Sequence, residues 1–385
     1  MLNTTVTRTV QQDLTALLGT IEGLDDLPFD RRLINDLQQQ ARWEAYTQTS
    51  ALDVFMPSFR QQTNESLAST SMSEWPAVSI TGGECVLQCD HCKGRILEPM
   101  LAAQHPQQLL QIVEGLVERN GEGMLLTGGS DRHNVIHYEP YFAVLEQIKH
   151  RFPEFTIAVH TGLATRQQAQ AFASAGIDVV MMDVIGAQDT ITQVYHLKRE
   201  VSDFEQSLAW LCETGMRVVP HIVIGLHYGN LLGEWQALEI IKRHKVDALV
   251  LVVVMPHYAD RRRPFCVPDV HATGRFFMDA RQALPDTRVQ LGCARPAGTQ
   301  RLMLEVYAVL AGLDGIAYPG DELMSLADQL AIPINLFARC CSSPVPVQDK
   351  NRVADARQIN NLSAIRSLNA FDQYPLTINR RQGTM

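Results

Sequence analysis

Residues Ser79–Gly94 read SITGGECVLQCDHCKG, a short apolar run that opens into a loop holding three of the chain's eight cysteines. Cys85, Cys89 and Cys92 are spaced C-x3-C-x2-C. A structural zinc site takes four protein ligands, often from paired C-x2-C turns. Only one such pair is present here, and His91, beside Cys92, is poorly placed to aim at the same ion. Three thiolates from one loop can instead hold three irons of a 4Fe–4S cluster, one short of the usual four cysteines, and leave the fourth iron open. A zinc loop is the alternative.

Beyond this loop, apolar and β-branched runs alternate with amphipathic stretches of helical length. The runs are AVSIT (77–81), GMLLT (123–127), FTIAVH (155–160), DVVMMD (178–183), RVVPHIVI (217–224), ALVLVVV (248–254), RVQLGC (288–293), GIAYP (315–319) and PINLFA (333–338). Continuous apolar strands alternating with helices imply a parallel sheet covered on its outer face. Eight or nine units predict an α/β fold, a TIM-like (β/α) barrel, complete or nearly so, with a doubly wound open sheet as the other architecture. The expected division is a helical N-terminal extension and connection over 1–74, the barrel over 75–346 and a polar surface segment over 347–385.

The bulk composition narrows the function classes. With 385 residues, 46% hydrophobic and 19% charged, the chain has material for a large core, and no apolar run reaches the ~18 residues of a membrane span. A net charge of -9 argues against general nucleic-acid binding. The run Arg261-Arg262-Arg263 reads as a solvated loop. The N-terminal stretch has no basic region followed by a continuous apolar one, so a cytoplasmic location and reduced or metal-bound cysteines are expected.

The C-x3-C-x2-C loop after the first strand, with His91 before the last cysteine, resembles the signature of the radical SAM superfamily. The resemblance implies a 4Fe–4S cluster on Cys85, Cys89 and Cys92 whose open iron chelates S-adenosylmethionine, and reductive cleavage of that cofactor to a 5′-deoxyadenosyl radical. It implies cofactor contacts at Gly128, Gly129, Ser130 and Asp131 in LLTGGSD, where Ser130 and Asp131 replace the family's Glu. Further contacts are implied at Asp183, and at His221 and Glu234 in PHIVIGLHYGNLLGE, whose spacing is longer than the family's. The residues themselves allow the same reading: adjacent glycines let backbone approach a ligand, and a carboxylate ending a barrel strand faces the active side. A plain turn, a helix cap and core packing are the respective alternatives. His160 and Thr161 read as hydrogen-bonded structural positions.

Cys293 ends the seventh run, and Cys340 and Cys341 follow the last. Strand-end placement brings all three to the rim that carries the first loop, where they are expected to hold an auxiliary iron–sulfur cluster. Ser342, Ser343, Arg295 or an exogenous sulfur species would supply a fourth ligand; inert buried thiols are the alternative. Cys212 reads as core, and Cys266 as another possible ligand. FMPSFR, the Ser79–Met100 stretch, LTGGSD, HTGL, MMDVIG, PHIVIGLHYG, LGCARPAG and RCCS together resemble the split, two-protein lipoyl synthases, larger subunit. That resemblance implies sulfur insertion into a protein-bound octanoyl group. Its implied partners are an octanoylated carrier protein, a second radical SAM subunit and a ferredoxin- or flavodoxin-type electron donor. The competing expectations are a radical SAM enzyme without sulfur insertion, resembling methylornithine synthase, and a cluster-bearing electron carrier or scaffold.

Overall fold

The computed structural model describes residues 13–39, 51–58 and 75–343. Residues 1–12, 40–50 and 59–74 of the expected N-terminal extension and connection, and all of the segment 347–385, lie outside these residues. The strands are β1 (Leu52–Phe55), β2 (Ala77–Ser79), β3 (Leu101–Ala102), β4 (Gly123–Thr127), β5 (Thr156–Thr161), β6 (Val179–Asp183), β7 (Arg217–Ile224), β8 (Ala248–Val253), β9 (Arg288–Leu291), β10 (Gly315–Ala317) and β11 (Ile334–Phe337). The helices are α1 (Leu14–Leu18), α2 (Arg31–Gln38), α3 (Pro106–Glu118), α4 (Phe142–Arg151), α5 (Arg166–Ser174), α6 (Gln188–Gln193), α7 (Val201–Cys212), α8 (Glu234–Lys242), α9 (Val270–Ala283), α10 (Thr299–Leu310) and α11 (Asp321–Gln329).

All strands belong to one parallel sheet of order β11-β1-β10-β9-β8-β7-β6-β5-β4-β2-β3. From β4 to β10 the order follows the chain without reversal, so successive right-handed crossovers wind the sheet in one direction and it curls. A doubly wound sheet would reverse its order in the middle. The side-chain alternation fits the curl. In β6, Val179 and Met181 pack into an inner cluster with Ala158, Val219 and Val250, while Val180 and Met182 join the outer core shared with the helices. That outer layer forms because the helices are amphipathic: α3 buries Leu109, Leu110, Val113 and Leu116 on one stripe and starts with Pro106.

Each of the nine expected runs becomes a strand. Two strands are additional. β1 lies within the stretch expected to be helical extension and connection, and it pairs with both β10 and β11. Its apolar signal is interrupted by Asp53, which is buried, paired with Arg288 and hydrogen-bonded by Asn335 Nδ2 at 2.8 Å. β3 is two exposed residues on the edge beside β2. Before β1, α2 packs on α9 and α10, with Asp30 capping its start.

The edge strands β3 and β11 are not paired with each other. Side chains hold the curl instead. Trp75, fully buried, shares the inner cluster with Phe55 and Phe337, whose rings stack at 5.5 Å, and Arg339 beyond β11 pairs with Glu122 before β4 at 2.6 Å. Among the described residues, no helix is long and apolar enough to cross a membrane.

Candidate active site

The C-terminal ends of the strands surround a cavity of about 310 Å³, within the size range of small-molecule sites. Its lining includes Cys85, Cys89 and Cys92 from the loop after β2, Gly128, Gly129 and Ser130 after β4, His160 on β5, Asp183 on β6 and His221 on β7. Cys293, after β9, and Cys340 and Cys341, after β11, line the same cavity.

The first cysteine loop is a tight coil. Gly94 has φ of +71°, and a Cβ there would sit 3.2 Å from Cys85 Cβ, so the loop's end folds back on its start. Gly129 braces it from below: a Cβ there would lie 1.9 Å from Glu84 O and 2.6 Å from Cys85 Cα. This glycine therefore serves backbone packing against the cysteine loop as well as lining the cavity. The Ser130 carbonyl accepts from Val86 N at 2.9 Å and Leu87 N at 3.1 Å. Thr81 Oγ1 accepts from Gly129 N and donates to Glu84 O.

Asp90, between the cysteines and 1% exposed, anchors the other side. Its carboxylate accepts from Lys93 Nζ (2.8 Å), His196 Nε2 (2.9 Å), Tyr228 OH (3.0 Å) and Arg263 Nη1 (3.1 Å). Burial alone would raise its pKa, but the donors from Lys93, His196 and Tyr228 outweigh it and hold the carboxyl at about 2. Arg263, expected on a solvated loop, is thus tied into the site's support. Asp90, His196, Tyr228 and Arg263 were missed in the sequence; the only local signal was an acid inside the cysteine motif.

The three thiols interact with one another. Burial pushes Cys89 well above its ordinary value, and the neighbouring charges of Cys92 and Cys85 push it further. At Cys92 burial acts upward too, but the His91 ring beside it brings the thiol below its ordinary value. Cys85, Cys89 and Cys92 line one chamber and would hold a cluster by three thiolates, one short of the usual four.

Asp183 and His221 are register partners on β6 and β7. His160 Nε2 is 3.5 Å from Asp183 Oδ1, and the His160 and His221 rings meet edge-to-face at 5.2 Å. Burial would raise the Asp183 pKa, yet His160, His221 and His91 keep it below the usual carboxylate range. Burial, then repulsion from His160, brings His221 down to about 3, so it is a neutral imidazole. His160, expected to be structural, joins the cavity wall.

The remaining expectations divide. Cys340 and Cys341 are buried: the neighbouring Cys341 thiol brings Cys340 to about 7, while Cys341 itself is driven well above its ordinary value by Cys340 and by burial. Arg295 does not point to them. Its guanidinium is buried against Glu305 at 2.6 Å and the carbonyls of Gly292 and Tyr318, because an unpaired charge there would be costly. Asp131 lies outside the cavity and closes its own turn, accepting from His133 N at 2.8 Å and Val135 N at 2.9 Å. Glu234 lines a separate small cleft, where its carboxylate accepts from Gly225 N and Gly233 N at the start of α8. Cys266 is exposed, and Cys212, on α7, is raised to about 11 chiefly by burial.

The thiol triplet lies at the mouth of a curled parallel (β/α) sheet, and comparison with known families finds a match over part of the chain. Residues 79–243 match the radical SAM superfamily. That match covers less than half of the chain, from the end of β2 to the end of α8, and includes the first cysteine loop; Cys293, Cys340 and Cys341 lie beyond it. The fold is shared with methylornithine synthase (TM-score 0.50, 10% identity, 74% of this chain and 77% of that one). It is also shared with the FeFe-hydrogenase maturase HydG from Carboxydothermus hydrogenoformans (TM-score 0.51, 14% identity, 77% and 69%). No curated protein matches the sequence.

Proposed function

We propose that this chain is a radical SAM enzyme that inserts sulfur into an unactivated C–H bond of a protein-bound octanoyl group, as one component of a lipoyl synthase. The observation that carries the reading is that both cysteine sets line one cavity. Cys85, Cys89 and Cys92 would hold the first cluster and Cys293, Cys340 and Cys341 the second, the source of sulfur. When bound with S-adenosylmethionine, the first cluster supplies the electron that makes a 5′-deoxyadenosyl radical, able to take hydrogen from a carbon no acid–base group could activate.

The chain's own residues orient and enclose. Gly128, Gly129 and Ser130 form the wall beside the first loop, and Leu125, Met181, Val223, Val250 and Val252 give the chamber an apolar lining suited to an alkyl chain. Water exclusion by that lining protects a reactive carbon centre. An octanoylated carrier protein and a ferredoxin- or flavodoxin-type donor are the partners this reading calls for, and a second radical SAM subunit is a further partner it allows.

The test is anaerobic reconstitution followed by iron and sulfide determination and assay with an octanoyl-lysine peptide. Wild type should carry about eight irons per chain, falling to about four in Cys293→Ala/Cys340→Ala/Cys341→Ala. About four in both would remove the second cluster. A second reading, carbon-skeleton rearrangement without sulfur insertion, is favoured by the polar His160, Asp183 and His221 in the chamber, which suit a polar substrate; it predicts that outcome.

A further inference from the structure

We propose that His160, Asp183 and His221 bind a single divalent first-row metal ion, distinct from the cysteine-held iron, with open coordination positions that take an oxygen donor of the molecule in the chamber. The inference does not depend on sulfur insertion. One donor atom from each residue lies within 4.8 Å of the others; tetrahedral donors about 2.0–2.2 Å from an ion are ~3.4 Å apart, so the set needs only a small closure. The three side chains come from neighbouring strands, β5, β6 and β7, and Asp183 and His221 are direct register partners. Their backbones are held by the sheet rather than by a loop.

A second observation points the same way. His221 is 8% exposed, lines the cavity, and its Nδ1 has no hydrogen-bond partner. Buried polar atoms left unpaired are costly and uncommon in folded proteins. The His160–Asp183 contact does not use up the other two groups, since 3.5 Å is long for a charge-assisted hydrogen bond. Two imidazoles and a carboxylate suit iron, zinc, cobalt or manganese, and three protein ligands with open positions are the pattern of reactive rather than structural sites.

The experiment uses full-length protein with its clusters reconstituted, stripped of loose metal, and titrated with Mn²⁺ under EPR. Mn²⁺ favours oxygen and nitrogen donors over thiolates. Wild type should bind one Mn²⁺ per chain. Asp183→Asn, which preserves shape, and His221→Gln should each weaken binding on the order of 100-fold, because loss of an outer partner alone costs about 10–100-fold. Iron content and S-adenosylmethionine cleavage are read on the same samples, so missing iron with Mn²⁺ retained overturns the cluster reading alone. Wild type that binds no Mn²⁺, or Asp183→Asn that binds it as tightly as wild type, overturns the metal site. So does a thiolate-to-cobalt absorption band when Co²⁺ replaces Mn²⁺.

Discussion

Replacing Asp90 with Ala tests whether the first cysteine loop is held from outside or is stable by itself. The substitution removes one buried carboxylate that accepts from Lys93, His196, Tyr228 and Arg263, although Lys93 keeps the Gln88 carbonyl and Tyr228 and Arg263 keep that of Gln193. Hydrogen bonds to a charged group contribute a net of about 1.5–3 kcal/mol each, but a sum over four overstates the loss. The side chains of His196 and Arg263 are 42% and 53% exposed and would be resolvated, and Lys93 keeps Asp260 at 3.4 Å. Breaking a fully buried ion pair costs about 3–5 kcal/mol, so the lower end, about 3 kcal/mol, is expected, with a fall in melting temperature of roughly 5 °C. Because the coil that carries Cys89 and Cys92 is what loses its anchor, cluster iron on the first loop should fall while iron dependent on Cys293, Cys340 and Cys341 is kept. Iron analysis after reconstitution, beside thermal melts followed by circular dichroism, reads both. An Asp90→Ala protein that melts with wild type and loads the first cluster fully would refute the anchoring argument.

Gly129→Ala should cost about 1–3 kcal/mol and impair cluster loading, since its Cβ would enter the backbone of Glu84 and Cys85; urea unfolding with iron analysis checks both effects. Glu305→Gln should cost about 3–5 kcal/mol, because the fully buried carboxylate pairs with Arg295 and Arg301 and accepts from Gly320 N. A change below 1 kcal/mol in denaturant titration contradicts that balance. Asp30→Ala should cost about 1 kcal/mol at pH 7 through loss of the α2 cap. Burial tends to raise the Asp30 pKa, but the Leu33 and Arg32 amides, Arg275 and His271 lower it overall, so its stabilisation is present above the ordinary carboxylate value and lost as pH falls below it. The gap between wild type and variant should therefore narrow from pH 7 to pH 3, as measured by urea titration at each pH.

The parts of the molecule legible in the sequence are those whose signal is local. Strands such as β7 and β8 are continuous apolar runs, and the first cysteine loop carries its spacing within eight residues. The meeting of Cys293, Cys340 and Cys341 with that loop was also readable, because a strand's end fixes which rim a residue reaches. What was not legible depends on partners far along the chain. β1 is stabilised by strands some 260 residues later, and Asp53 within it is acceptable only because Arg288 and Asn335 neutralise it. Asp90 sits inside the most informative motif, yet its role comes from His196, Tyr228 and Arg263 on other loops. Asp131 and Glu234 fit a family pattern by position, but their carboxylates are taken by nearby backbone amides.

The position of β1 between β10 and β11 sets an order of events during synthesis. Chains emerge from the ribosome N-terminus first and tend to fold in that direction, but this early strand has no neighbour until β10 has been made and gains its second only with β11. Residues 52–55 therefore have no sheet partner until β10, at 315–317, has been made, and only one until β11 follows. The loop of Cys85, Cys89 and Cys92 can form against β2 and β4 long before that, whereas Cys340 and Cys341 reach the cavity only once β11 docks beside β1. The two sulfur-bearing halves of the cavity are thus completed at different times, and the second waits for the long-range closure that joins β1 to β11, the slowest kind of contact to make.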